Sequence, residues 1–154
     1  MEIKATLEKP YTEEQRLNFI VEQNHNNGYE IRETETALEA WGYTEEEQEQ
    51  QEAERIAQLH LTRGDVFRAL LLARQVTRAQ IRALIEAMPD ETPEEQMAKE
   101  LALIDFDEAL DFYRGIALVD TLGLALGITE EQMTEFFETN DWHVLIPDTR
   151  TQEV

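Results

Sequence analysis

The most regular pattern of apolar and polar positions lies between Thr62 and Met88, and it predicts two amphipathic helices around a short turn. Each helix begins at a threonine that is followed three residues later by Asp65 or Gln80, as in a capping box. The apolar positions at helical spacing are Val66, Phe67, Leu70, Leu71 and Ala73, followed by Ile81, Leu84, Ile85 and Met88. Pro89 ends the second helix because its ring cannot continue the backbone hydrogen bonds.

A similar pattern returns near the C-terminus. Arg63-Gly64 recurs as Arg114-Gly115, at an offset of 51 residues, and 76–86 is matched by 128–138 at an offset of 52. One interpretation is a duplicated helical hairpin with two-fold pseudo-symmetry. The other is that any two capped hairpins look this alike, since capping boxes and apolar stripes are generic. Both interpretations stay open at the level of sequence.

The segment 1–43 is predicted to be a small α+β cap or an extended arm. Apolar residues alternate with polar ones from Met1 to Glu8, which indicates a strand. A helix is predicted from Thr12 to Asn26, and a second strand at 29–33 either pairs with the first or belongs to the arm. A short helix is predicted from Thr34 to Trp41.

The remainder is predicted to contain a polar helical connector at 44–61, an all-α body at 62–146 and a mobile tail at 147–154. Thr92-Pro93 begins a helix that could run to Tyr113, with an apolar face wide enough to be covered from two sides. Two further helices follow at 116–126 and 129–139, and 142–146 alternates like a short extended segment. The predicted fold is therefore mostly α, a bundle of about six helices with two similar hairpins.

Charge narrows the range of functions. The 154 residues include 34 acidic and 13 basic side chains and no cysteine, for a formal net charge of −21. Residues 1–60 and 91–154 carry −10 and −13, whereas residues 61–90 carry +2. Phosphate binding depends on lysine and arginine, so we expect no direct contact with nucleic acid or with an anionic membrane. The start of the chain lacks the apolar core of a signal peptide, so we expect no secretion by that route.

Candidate chemistry is sparse, and no cofactor, metal site or catalytic group is expected. Asp105, Asp107 and Asp111 cluster on a predicted helix without the loop that a divalent cation prefers, and the three histidines are scattered. Arg74, Arg78 and Arg82 form either a partner-binding face or structural ion pairs with the acidic segments. Trp142 is either an interface anchor or part of a segment that folds onto its own core.

Three segments resemble a known group of proteins. They are YEIRETETALEAWG (29–42), ERIAQLHLTRGDVF (54–67) and FYRG (112–115). They resemble small acidic proteins encoded near the tail genes of phages and prophages of Gram-positive bacteria. The resemblance implies a phage context, in the host cytoplasm or the virion, with phage structural proteins as partners, and it implies no catalytic residues.

Three hypotheses follow. The first is a non-enzymatic protein acting by protein–protein contact, as a tail- or baseplate-associated component or an assembly factor. The second is an acidic inhibitor that imitates nucleic acid for a host DNA-binding or defence enzyme, with Glu45, Glu46, Glu47 and Glu49 as its acidic face. The third is a metal-dependent enzyme that uses the aspartates at 105, 107 and 111.

Overall fold

The computed structural model describes residues 1–147, and within them it contains seven α-helices and five β-strands. The strands are β1 (Glu2–Glu8), β2 (Glu30–Glu33), β3 (Ala37–Gly42), β4 (His60–Thr62) and β5 (Asp111–Tyr113). The helices are α1 (Glu13–Ile20), α2 (Glu45–Gln58), α3 (Arg63–Arg74), α4 (Arg78–Glu86), α5 (Pro93–Glu108), α6 (Ala117–Leu126) and α7 (Glu130–Thr139). The mostly helical fold with a small β-containing N-terminal part agrees with the prediction, whereas residues 1–147 form seven helices and about six were predicted.

The chain forms two compact units, Met1–Ala53 and the part from Glu54 onward, and the boundary falls inside α2. No helix within residues 1–147 combines the length and the apolar character needed to cross a membrane.

The N-terminal unit is built on a three-stranded antiparallel sheet of order β1-β3-β2. Leu38 of β3 lies opposite Leu7 of β1 and Glu33 of β2. Between β1 and β2 the chain forms α1, which begins at a Thr12 capping box and continues as a π-helical segment, Val21–Asn26. Gly28 ends this helix with φ +74°, a conformation that glycine adopts without strain.

The predicted helix over 34–41 is wrong, because β3 occupies these residues. Ala37, Leu38 and Ala40 are buried, and β3 is the central strand of the sheet. Alanine, leucine and glutamate favour helix locally, but hydrogen bonds to two neighbouring strands override that preference. The suggested pairing of the first two strands is wrong for the same reason, since β3 lies between β1 and β2.

The second unit buries the main core. Val66, Phe67 and Leu70 of α3 pack with residues of α4, α5, α6 and α7 in one apolar cluster. Threonine side chains begin α3, α4, α5 and α7 by accepting from a backbone N–H three residues later, at Thr62, Thr77, Thr92 and Thr129. These four helix starts agree with the sequence prediction, because a capping box is a local device.

The predicted all-α body also contains a two-stranded antiparallel sheet that the sequence did not indicate. β4 pairs with β5, with Leu61 opposite Phe112. The helix predicted to reach Tyr113 therefore ends at Glu108, where Ala109 turns to an extended conformation at φ −67° and ψ 131°. A three-residue strand leaves little periodic signal, and its partner lies about fifty residues away in sequence.

The order strand, helix, helix occurs twice in this unit, as β4-α3-α4 and as β5-α6-α7. Thr77 and Thr129 both form complete capping boxes, with Gln80 and Gln132. The duplication suggested by the sequence stays a prediction.

Candidate protein-interaction surfaces

Two of the predicted arginines, Arg78 and Arg82, line one recess together with Arg63 and Phe106. The guanidinium carbons of Arg63 and Arg82 lie 5.7 and 5.8 Å from the centre of the Phe106 ring, within the range of a cation–π contact. Together with Ala79 these side chains line a shallow recess of about 250 Å³. The recess is basic and apolar at once.

One of these three arginines, Arg82, is paired with carboxylates of the same chain. Arg82 donates from Nη1 to Asp107 Oδ1 at 2.5 Å and from Nε to Glu86 Oε1 at 3.1 Å. Asp107 raises the pKa of the Arg82 guanidinium through this hydrogen bond. Arg63 donates to the Asp107 carbonyl oxygen at 2.6 Å. Arg82 thus makes the structural ion pair with an acidic segment that the sequence offered as one alternative.

Arg74 does not line this recess, and its guanidinium donates hydrogen bonds to backbone carbonyl oxygens of the same chain. Its Nε donates to the Leu145 carbonyl oxygen at 2.6 Å and its Nη1 to the Leu126 carbonyl oxygen at 3.1 Å. Partial burial lowers the pKa of this guanidinium. Arg74 therefore ties the end of α6 and the C-terminal segment to α3, and the predicted three-arginine face is not one continuous surface.

Trp142 lies in a 3₁₀-helix, Trp142–Leu145, and not in the extended segment that the alternation predicted. Its ring stacks on His143 at a centroid distance of 3.9 Å, and Leu145 is fully buried. Trp142 itself is half-buried against the apolar core. The segment thus folds onto its own body, which was one of its two predicted alternatives, while part of the indole ring stays accessible.

The acidic residues of the predicted mimic face lie in the first turns of α2, which buries none of its residues. Glu45, Glu46 and Glu49 are exposed. Glu47 differs, because it accepts hydrogen bonds from the Thr44 backbone N–H at 2.8 Å and from the Met1 amine at 2.5 Å. These bonds lower the pKa of Glu47. Glu47 is therefore a helix-capping residue more than a free surface charge.

The aspartates at 105, 107 and 111 do not converge. Asp107 pairs with Arg82, and Asp111 belongs to β5. Across residues 1–147, no group of three or more histidine, aspartate or glutamate side chains is placed to hold a metal ion.

A cleft of about 390 Å³ lies between α6 and α7, and one of its lining residues is a buried arginine, Arg114, that the sequence did not indicate as a site residue. Arg114 is 7% exposed, and its Nη1 donates to Asp120 Oδ1 at 2.7 Å while its Nε donates to Thr134 Oγ1 at 3.3 Å. Gly123 and Met133 complete the wall. The two side-chain bonds of Arg114 hold α6 and α7 to the end of β5, so its role is structural.

The outer side of α5 carries a row of exposed apolar residues. Met97, Leu101 and Ile104 follow each other at i, i+4 and i+7 and are 67%, 55% and 51% exposed. They form one row on the side of the helix opposite Ala102 and Phe106, which are buried in the core. The sequence predicts that this row belongs to a face covered from two sides. The structure covers only one side of α5, and apolar periodicity alone carries no signal for which side remains open.

No family model matches the chain, and comparisons with curated proteins and with solved structures found no similar protein.

Proposed function

We propose that this chain is a non-enzymatic phage protein that acts by protein–protein contact, as a tail- or baseplate-associated component or an assembly factor. The observation that carries the contact function is the row of Met97, Leu101 and Ile104 on α5, called here the α5 stripe. Single exposed apolar residues are normal on protein surfaces, but three consecutive members of one helical row are typical of a contact surface.

Support for the phage context comes from the resemblance alone. Its three segments contain β2 with β3, the end of α2 with β4, and the last two residues of β5. The resembling segments therefore contain strands of both sheets.

The proposal is tested by affinity capture with the tagged full-length protein from lysates of phage-producing cells. We expect tail or baseplate proteins to be captured, and we expect excess duplex DNA to leave them bound. A Leu101→Glu variant should lose them, whereas Leu72→Glu, a change at an equally exposed leucine on α3, should retain them. Substrate turnover by the purified protein would contradict the proposal.

The second candidate is a nucleic-acid mimic, and the observation that favours it is the exposed position of Glu45, Glu46 and Glu49 on α2. Carboxylates one turn apart on a helix are separated by roughly 6 Å along the axis, a spacing that can imitate successive phosphates. Replacing these three residues by glutamine should abolish inhibition of a DNA-binding enzyme. Glu47 is left unchanged because it caps the helix, so that a loss of inhibition reports on the surface and not on folding.

A further inference from the structure

The α5 stripe lies between two acidic edges. Glu94 and Glu100 lie one helical turn from Met97, and Asp105 and Glu108 lie one turn beyond Leu101 and Ile104. Across the whole of α5 there are six acidic residues and a single basic one, Lys99. Lys99 pairs with Asp90 at 3.0 Å and projects from the opposite side of the helix. Both edges of the stripe therefore carry carboxylates, while Asp107, one turn beyond Ile104, is already paired with Arg82.

We propose that the α5 stripe docks a basic amphipathic helix from a partner protein, with apolar residues at a spacing of three and four and with lysine or arginine on both flanks. This inference rests on the proposed contact function and names the partner's chemistry. A helix of this kind would bury the three apolar side chains of the stripe and place its own cations beside the carboxylates of α5.

Charge disfavours the simplest alternative occupant, a second copy of this chain. Pairing two α5 stripes would bring the acidic edges of both helices together, and like charges at such positions are destabilising. An anionic membrane is disfavoured for the same reason. A basic partner turns the same carboxylates into a source of specificity, because complementary charges at the rim select the partner and its orientation.

The probe is a fluorescein-labelled synthetic peptide of roughly 18 residues, long enough to form a helix, with leucine in one stripe and lysine on both flanks. A second peptide replaces the lysines by glutamate. We expect fluorescence anisotropy to show binding of the lysine peptide to the full-length protein, weakening as salt is added, and binding of the glutamate peptide at least about tenfold weaker.

Two matched pairs of variants separate docking at α5 from general attraction to an acidic protein. Leu101→Glu and Leu72→Glu add the same charge at leucines that are 55% and 50% exposed. We expect Leu101→Glu to weaken binding of the lysine peptide by about tenfold or more, since it removes an apolar contact, and Leu72→Glu to leave binding unchanged. A purely electrostatic interaction would give equal or tighter binding to both.

The second pair reverses charges. Glu94→Lys with Glu100→Lys alters the edges of the stripe, and Glu13→Lys with Glu14→Lys makes the same change of net charge in the first turn of α1. We expect only the double change at Glu94 and Glu100 to lower the preference for the lysine peptide. Thermal melts of all variants confirm that they are folded.

Three results would overturn the inference. They are equal peptide binding by Leu101→Glu and wild type, equal loss of preference in the two charge-reversed variants, and self-association of the wild type that Leu101→Glu abolishes. The contact function fails separately. If partners captured from lysate are retained by Leu101→Glu, the contact function stands and the docked helix is wrong. If the purified protein shows turnover, the contact function is wrong whatever the peptides do.

Discussion

Gly115 makes the closest backbone approach among the glycines of the second unit, and an added methyl group tests it directly. Its amide donates to the Ala57 carbonyl oxygen at 3.2 Å, across from the end of α2. A Cβ atom at position 115 would lie 2.8 Å from the Ala57 Cβ and 3.1 Å from both its Cα and its oxygen. The last two are backbone atoms, so the contact cannot be relieved by rotating a side chain.

We expect Gly115→Ala to destabilise the second unit by roughly 1–3 kcal/mol, the usual cost of overpacking. For a unit of about 100 residues, each 1 kcal/mol lowers Tm by about 4–8 °C, so Tm should fall by about 4–24 °C. Gly64→Ala is the matched control, because nothing lies within 4 Å of the added methyl group and Gly64 is in the first turn of α3. That variant should be stabilised by about 0.4–1 kcal/mol, since alanine restricts the unfolded chain.

The assay is thermal and urea unfolding followed by circular dichroism, with Ala57→Gly added to complete a double-mutant cycle. Ala57→Gly removes the nearest atom, so it should offset part of the cost of Gly115→Ala and show a favourable coupling of about 0.5 kcal/mol or more. If Gly115→Ala melted at or above the wild-type temperature, or if Ala57→Gly left its cost unchanged, the close approach would be refuted.

Three further variants test other contacts. Leu145→Ala should cost about 2–5 kcal/mol in urea unfolding because Leu145 is fully buried, whereas Ile146→Ala, at 44% exposure, should cost less than about 1 kcal/mol; equal costs would mean that the 3₁₀-helix does not dock. Arg74→Lys should cost about 1 kcal/mol in the same assay, since an ammonium cannot reproduce the planar two-carbonyl contact; an unchanged midpoint would contradict this role. The Tyr11 hydroxyl lowers the pKa of Glu33 by donating a hydrogen bond to its carboxylate, so Glu33→Gln should lower Tm at neutral pH. The difference in Tm from wild type should disappear as pH falls from about 4.5 through the pKa of Glu33 in the folded protein. A Tm difference that stays constant across pH would contradict this role of Glu33.

The sequence predicts the starts of the capped helices correctly, but it predicts wrongly the conformation of 34–41 and of 142–146 and the pairing of the strands. The Thr77, Thr92 and Thr129 capping boxes involve residues three apart, so the sequence alone places the starts of α4, α5 and α7. β3 was missed because its residues favour helix and become a strand only between β1 and β2. The pairing of β4 with β5 leaves no local trace at all.

For the candidate surfaces too, the sequence predicts which residues share a helix but not what packs against them. The sequence places Arg78 and Arg82 on one helix, but only the structure shows Phe106 beneath Arg63 and Arg82 and Asp107 as the partner of Arg82. The residues of the α5 stripe are plain in the sequence, and their periodicity predicts a buried face. Whether such a face is covered depends on which elements pack against α5, and that is decided by the tertiary fold.

The three-stranded sheet leaves two open edges, β1 and β2, and both carry charged side chains. β1 contains Glu2, Lys4 and Glu8, and β2 contains only one apolar residue, Ile31, among Glu30, Arg32 and Glu33. An unpaired strand edge is a template on which further chains can add, and charges along it oppose that growth. These charges therefore oppose the addition of further strands at either edge. Near the pI of about 4.3 the net repulsion between copies vanishes, so acidification removes one of the barriers to aggregation along these edges.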